Sequence, residues 1–267
     1  MADPVTPSSA PTPAQPTPTP TPPSIAAART VDAGRGASWW SEAWRLFAAA
    51  PGPWLLIVLI LLVLNVVLLV IPVVGHLAMQ VLYPVFAGGM LLGCRAIDRG
   101  QPLTNNHLFA GFSERTGPLL MLGFIYLCLA IAITLAVAGI LLVFFGAAVF
   151  SRLFELTDPF SAAAAVGGII TIVMFGMLLF LLLYLPLFMA MWFAPALIVL
   201  RGLEPWAAMK ASLAGCLKNV LPFLIYGLVG FVLAIVASIP LMLGWFVLGP
   251  LTMASVYTGY CDIFEDS

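Results

Sequence analysis

Arg201-Gly202-Leu203-Glu204-Pro205, continuing from Trp206 to Tyr226, decides how the rest of this chain reads. A polar turn is followed by a short amphipathic segment and then by Pro222, which opens a long apolar run. The same order occurs around Pro53 and around Pro118. Counting back 13, 9 and 6 positions from each proline gives Trp40, Trp44 and Phe47 in the first copy and Asn105, Phe109 and Phe112 in the second. The third copy gives Met209, Leu213 and Cys216. Offsets of four and three put those side chains on one helix face, and only Asn105 interrupts the apolar stripe. Upstream, Arg99-Gly100-Gln101-Pro102 parallels Arg201 to Pro205, with Arg35-Gly36 a fainter echo. Downstream, Ile71-Pro72 parallels Ile239-Pro240, and Pro84, Pro186 and Pro250 each fall inside a returning apolar run.

Composition sets the class. The chain is 63% hydrophobic and 8% charged, against about 25% charged in an ordinary soluble domain. Several apolar runs exceed the roughly 20 residues a helix needs to cross a bilayer, and lipid offers backbone groups no partner outside the helix. The expected fold is therefore all-α. It is a polytopic membrane bundle of six transmembrane helices, arranged as three repeats of amphipathic helix plus hairpin. Residues 1–38 differ: nine prolines between Pro4 and Pro23, mixed with Thr, Ser and Ala, describe a disordered cytoplasmic tail with no apolar face to bury. The membrane domain is expected over 39–267, with Ser38 as the first N-cap. The middle hairpin is oversized, 82 residues from Pro118 to Val199 against 45 and 42 in the other copies. Its helices must tilt, kink or protrude, and Pro186 and Gly176 are the candidate kinks. A split at Pro186 would give seven crossings.

Charge chooses between six and seven. Of the 10 Lys and Arg, six spans place nine on one side and leave only Arg152 on the other. The positive-inside bias then puts both termini and all three amphipathic segments in the cytoplasm. A net charge of -1 gives no reason to expect a nucleic-acid partner. His76 and His107 fall on opposite membrane faces, no CxxC pair joins the four cysteines, and no hydrolase elbow, HExxH or phosphate loop is present. No catalytic residue, cofactor or metal site is expected. Nor does any Asp, Glu, Lys or Arg sit in the middle of a span, which argues against an ion-coupled pump. Asn65 is the candidate intramembrane polar contact, expected to bond across to another helix. Trp40, Trp44, Arg45, Arg115, Lys210 and Lys218 form the candidate surface for anionic phospholipid or a protein partner. The three short helices would there lie in the headgroup plane, apolar side down.

The pattern Trp39-Trp40-x-x-x-Trp44-x-x-Phe47 with Pro53, and Pro205-x-x-Ala208-x-x-x-Ser212 before Pro222, resembles a broad group of six-helix bacterial membrane proteins of unknown function. That group is similar to the membrane domain attached to some glycerophosphodiester phosphodiesterases. The likeness spans about Trp39 to Phe264 and carries no active-site residues with it. It implies an inner-membrane location and no enzymatic activity. Two functions remain open at this stage: a membrane-organising or lipid- and protein-interacting protein, and a transporter for an apolar or lipid-like solute, since transporter folds often contain internal repeats.

Overall fold

A computed structural model describes residues 28–152 and 159–265, and among them every regular element is helical. In chain order these are α1 (Arg35–Ala49), α2 (Pro51–Leu69), α3 (Val74–Asp98), a 3₁₀ turn (Asn105–Phe109) running into α4 (Ala110–Glu114), α5 (Thr116–Arg152), α6 (Pro159–Trp192), α7 (Ala194–Arg201), α8 (Pro205–Lys218), α9 (Val220–Ser238) and α10 (Trp245–Phe264). Among the described residues, five segments are long and apolar enough to cross a membrane: Pro51–Leu69, Val74–Asp98, Thr116–Gly146, Gly167–Arg201 and Val220–Ser238. The chain is an integral, multi-pass membrane protein.

The first helix starts at Arg35 with Gly34 as its N-cap, so Ser38 lies inside it rather than capping it. Residues 28–34, expected to belong to the tail, are seated on the protein. The Arg29 N–H donates to the Ile263 carbonyl at 2.9 Å, and Val31 N–H donates to Asn219 Oδ1 at 2.8 Å. The remainder of the expected tail, 1–27, lies outside the described residues, as does the outer turn of the middle hairpin at 153–158.

The apolar stripes of the three short segments are divided: Trp44, Phe109 and Phe112 are exposed, whereas Trp40, Phe47, Met209 and Cys216 are buried. Trp39, Trp40, Ala43, Leu46 and Phe47 of α1 are buried against protein, chiefly α9 and α10. The second segment, read as an amphipathic helix, is a 3₁₀ turn and a five-residue helix packed on α3. Its start is fixed by Thr104 and His107, which cap one another: the Thr104 N–H reaches His107 Nδ1 at 3.1 Å. The third, α8, buries Met209 and Cys216 against α6 and α7.

The long middle hairpin keeps its length. At 1.5 Å per residue, α5 and α6 run about 55 and 50 Å, beyond the hydrocarbon thickness. The break falls at neither Pro186 nor Gly176, both of which sit within α6. It falls at Phe193, between α6 and α7 (φ -102°, ψ -5°). The cause is a side chain inserted into the helical ladder. Ser212 of α8, fully buried, donates its hydroxyl to the Met189 carbonyl at 2.6 Å and accepts the Phe193 N–H at 2.9 Å. Those are the two groups that an unbroken helix would have paired with each other. Pro195, with no N–H to give, removes the next ladder bond but one.

Ser212→Ala should therefore leave a buried donor and a buried acceptor unpaired and lower stability by about 1–3 kcal/mol. Ser212→Thr, which keeps the hydroxyl, should lose less. Thermal unfolding in one detergent measures both; an alanine variant as stable as wild type would remove the stapling role.

Candidate functional site

Two spaces share one wall inside the bundle. The first is a central cavity of about 340 Å³ between α3, α5, α6, α7 and α10. On α3 it extends from Gln80 to Leu91, or about 9 to 26 Å along a helix about 36 Å long. It therefore sits at the middle depth of the bundle. Its polar groups are Gln80, Tyr83, Tyr126, Tyr184, Thr252 and the indole N–H of Trp192, and none of its lining side chains carries a charge. The Tyr126 and Tyr184 hydroxyls bond to each other across α5 and α6. Thr252 donates back to the Leu248 carbonyl of its own helix at 2.8 Å. Gln80 and Tyr83 have no side-chain hydrogen-bond partner among the described residues.

The second space, about 350 Å³, is a groove between α6 and the α8–α9 region, with Leu185, Phe188, Met189 and Trp192 on one side and Val220, Phe223, Leu224 and Gly227 on the other. Its lining is wholly apolar. Tyr226 also borders it, but that hydroxyl is engaged with Ser255 Oγ at 2.8 Å. Phe188 and Trp192 line both spaces, their ring centroids 5.1 Å apart. A third space of about 300 Å³ lies between α2 and α3 at the end remote from α1, and meets the central cavity at Gln80 and Tyr83.

Asn65 lines that third space beside His76. Its amide donates to the Leu61 carbonyl of its own helix at 3.4 Å, so the expected cross-helix bond is not made. His107 stands beside Gly93, at the other end of α3 from His76, as the two apolar spans require. Among the described residues no group of three or more His, Cys, Asp or Glu could hold a metal ion.

The expected surface residues separate. Trp40 is not on the surface: it is 7% exposed, stacked on Tyr226 with centroids 4.7 Å apart, and donates Nε1–H to the Tyr226 carbonyl at 3.0 Å. Trp44 is exposed. Arg45 pairs with Asp98 at 3.2 Å. The Arg115 guanidinium lies against Gly202, whose φ of 71° and lack of a Cβ make the approach feasible. Lys210 sits 5.5 Å over the Trp206 ring, and Lys218 donates to the Ala28 carbonyl at 3.1 Å. These contacts join the ends of α1, α3, α5, α7, α8 and the strap at 28–34 into one collar. Arg35, Glu42, Trp39 and Asp262 form its densest part. Arg35 Nε donates to Asp262 at 2.6 Å and Trp39 Nε1 to the same carboxylate at 2.7 Å. The Asp262 hydrogen bond raises the Arg35 pKa further above its ordinary value, so the guanidinium stays charged.

Sequence reasoning missed the cavity. Gln80 was the available signal, an amide four residues beyond His76 in an apolar run. The Tyr126–Tyr184 pair, 58 residues apart, had none.

A bundle of apolar helices around a neutral, mixed-polarity cavity, with a charged collar at one end, is the architecture of a polytopic membrane protein. The chain belongs to the family described as a domain of unknown function, DUF7847, whose model matches residues 113–259. It is also similar, at 28% identity over 219 residues, to a probable inner membrane protein of Burkholderia thailandensis; the match covers 78% of this chain and 76% of the relative. No solved structure matches. These relatives agree with an uncharacterised membrane family, and they give no link to the glycerophosphodiester phosphodiesterases suggested by the sequence pattern.

Cys216 offers a check on the packing of α8. It is 1% exposed, and burial pushes its thiol up to about 12. At pH 8 only about one thiol in ten thousand is then the reactive thiolate. In a variant retaining Cys216 alone, maleimide should label only after unfolding. Rapid labelling of the folded protein would contradict the packing of α8 on α6.

Proposed function

We propose that this chain is a non-catalytic inner-membrane protein of six spans that holds a lipid-like molecule inside its helix bundle. The observation that carries the lipid reading is the central cavity, which lies along the middle of α3 and shares Phe188 and Trp192 with an apolar groove. The relative described as a probable inner membrane protein supports the location. In this reading α10 is the sixth span. Like α3, it is an inner helix: 13 of its 20 residues are buried by protein.

Three repeats are supported by matching detail. The first and third outgoing helices, α2 and α9, are both 19 residues long. Their outer turns both hold non-glycine residues at positive φ, Val73 at 63° and Leu241 and Met242 at 50° and 65°. Each turn is followed by a glycine pressed on the residue seven positions earlier: a Cβ on Gly75 would come 1.8 Å from the Leu68 carbonyl, and one on Gly244 would come 2.4 Å from Ala237. The short segments pack in cyclic order, α1 on α9 and α10, the 3₁₀ turn and α4 on α2 and α3, and α8 on α5 and α6.

The charge split supports cytoplasmic termini. Trp44, Arg45 and Lys210 then face the inner headgroups, where anionic phospholipid is the natural partner. A second reading, a permease for a lipid-like solute, draws on the junction at Gln80 and Tyr83, through which the cavity adjoins the outer groove of Asn65 and His76.

Two measurements test this. Reporter fusions after Ser267 and in the Gln101–Thr104 loop should read cytoplasmic, and a fusion in the 155–158 loop periplasmic; a periplasmic C-terminus would overturn the topology. Separately, Ala87→Phe should fill part of the cavity and strip bound lipid, read by native mass spectrometry of protein purified in mild detergent. Replacing Arg45, Arg115, Lys210 and Lys218 by Gln should leave that internal lipid in place while reducing retained anionic phospholipid. The same lipid complement in wild type and Ala87→Phe, with both folded, would remove the cavity from the function.

A further inference from the structure

Resting on the reading of the central cavity as a lipid site, we propose that its ligand is an uncharged lipid with a hydroxyl or carbonyl head. Gln80 and Tyr83 hydrogen-bond that head, and the chain passes between Phe188 and Trp192 into the groove between α6 and α9.

The argument begins with what the cavity lacks. None of its lining side chains is charged, and the Arg and Lys of the collar lie at the ends of the helices. A phosphate placed there would lose its water without gaining a counter-ion, which apolar surroundings penalise heavily. A neutral oxygen head bears no such penalty. It needs a donor or an acceptor, and the cavity offers both.

Next comes which groups are available. The two tyrosine hydroxyls at 126 and 184 satisfy each other, and Thr252 is satisfied by its own helix. The Gln80 amide and Tyr83 hydroxyl, three residues apart on one face of α3, remain together with the Trp192 indole N–H, with no side-chain hydrogen-bond partner among the described residues. Gln80 is half-buried and Tyr83 is 47% exposed, so both polar groups open onto the space instead of being sealed in the packing. A ligand head at that place supplies the missing bonds. Gln80 presents two donors and an acceptor, and Tyr83 one of each, so either a hydroxyl or a carbonyl is served.

The tail needs an apolar path that reaches the bilayer. The groove supplies it, since its whole lining is apolar and it runs along the outer side of α6. Phe188 and Trp192 line both the head site and the groove. Phe188 is 45% exposed, and turning its side chain outward opens the wall.

The test uses the full chain in nanodiscs and three photoreactive probes with matched tails: a diacylglycerol (neutral hydroxyl), a quinone (neutral carbonyl) and a phosphatidic acid (charged head). At least one neutral probe should crosslink within 80–91 or 184–195, roughly tenfold above the phosphatidic acid; which neutral probe does so separates a hydroxyl lipid from a quinone. Gln80→Leu should cut that capture about five- to tenfold, the loss of a single hydrogen bond, and at the same time raise the melting temperature of the ligand-free protein. A structural role for the amide predicts the opposite sign in melting. Equal labelling of the cavity by phosphatidic acid would overturn the neutral-head inference and leave the lipid cavity standing. No labelling of the cavity by any probe would overturn both. Gln80→Leu that melts lower, or captures as much neutral probe as wild type, would remove Gln80 from the site.

Discussion

The structure depends on the seating of α1, the first helix, on α9 and α10, the last two. Helical hairpins in lipid gain little from apolar burial, because lipid tails are as apolar as leucine. Close packing and satisfied polar groups must do the joining. At this seam Gly36 lets α1 approach until a Cβ would stand 2.0 Å from the Pro222 carbonyl. Trp40 stacks on Tyr226, and Trp39 and Arg35 both bond Asp262. Just upstream, Asn219 is fully buried, accepting from Val31 N–H and donating to the Arg29 and Gly215 carbonyls. The Arg29 guanidinium reaches the Asp262 carbonyl and its neighbours Cys261 and Glu265, the acceptors a helix end leaves unsatisfied. The chain's first described residues thus tie its last helix and make a closed arrangement out of consecutive hairpins.

That closure explains which helices are apolar all round and which are not. Only 6% of the most apolar window of α5 is buried by protein, against 56% for α3. A helix facing lipid on most sides has to be apolar on all of them. Inner helices α3 and α10 instead meet protein, and so tolerate Gln80, Thr252, Ser255 and Thr258. The last two are buried and hydrogen-bonded, Ser255 to Tyr226 and Thr258 to the Trp39 carbonyl. Polarity is therefore concentrated where the bundle is thickest, and the cavity lies there.

Membrane class and the sites of five spans were legible because lipid imposes length and hydropathy on any crossing segment, whatever its neighbours. The short segments were located by their apolar stripes, but not their partners: Trp40 and Phe47 look the same in sequence whether they meet acyl chains or Tyr226. Likewise the helix break could not be placed from proline alone. Pro186 is carried inside α6, while the break at Phe193 needs a hydroxyl from Ser212, 19 residues onward, that only the tertiary fold delivers. Asn65 attracted attention as an isolated amide, yet it bonds its own helix, and Gln80, equally plain in the sequence, is the amide facing the cavity. Periodicity says which face a residue is on, and not what stands opposite.

Kink and groove are one feature. Met189, whose carbonyl takes the Ser212 bond, lines the groove, as does Cys216, one turn beyond Ser212 on α8. At the break, Trp192 and Phe193 still meet Phe223 of α9 edge-on, with centroids 6.1 and 5.8 Å apart. Further along α6 the side chains of Phe188 and Leu185 border open groove. Beyond the break, α7 turns inward to pack on α3, burying Ala194 to Ile198. A straight α6 could not both fill the core at α7 and leave a cleft along α9. By diverting two backbone groups, one serine hydroxyl keeps this seam of the bundle from closing as tightly as the seam between α3 and α5.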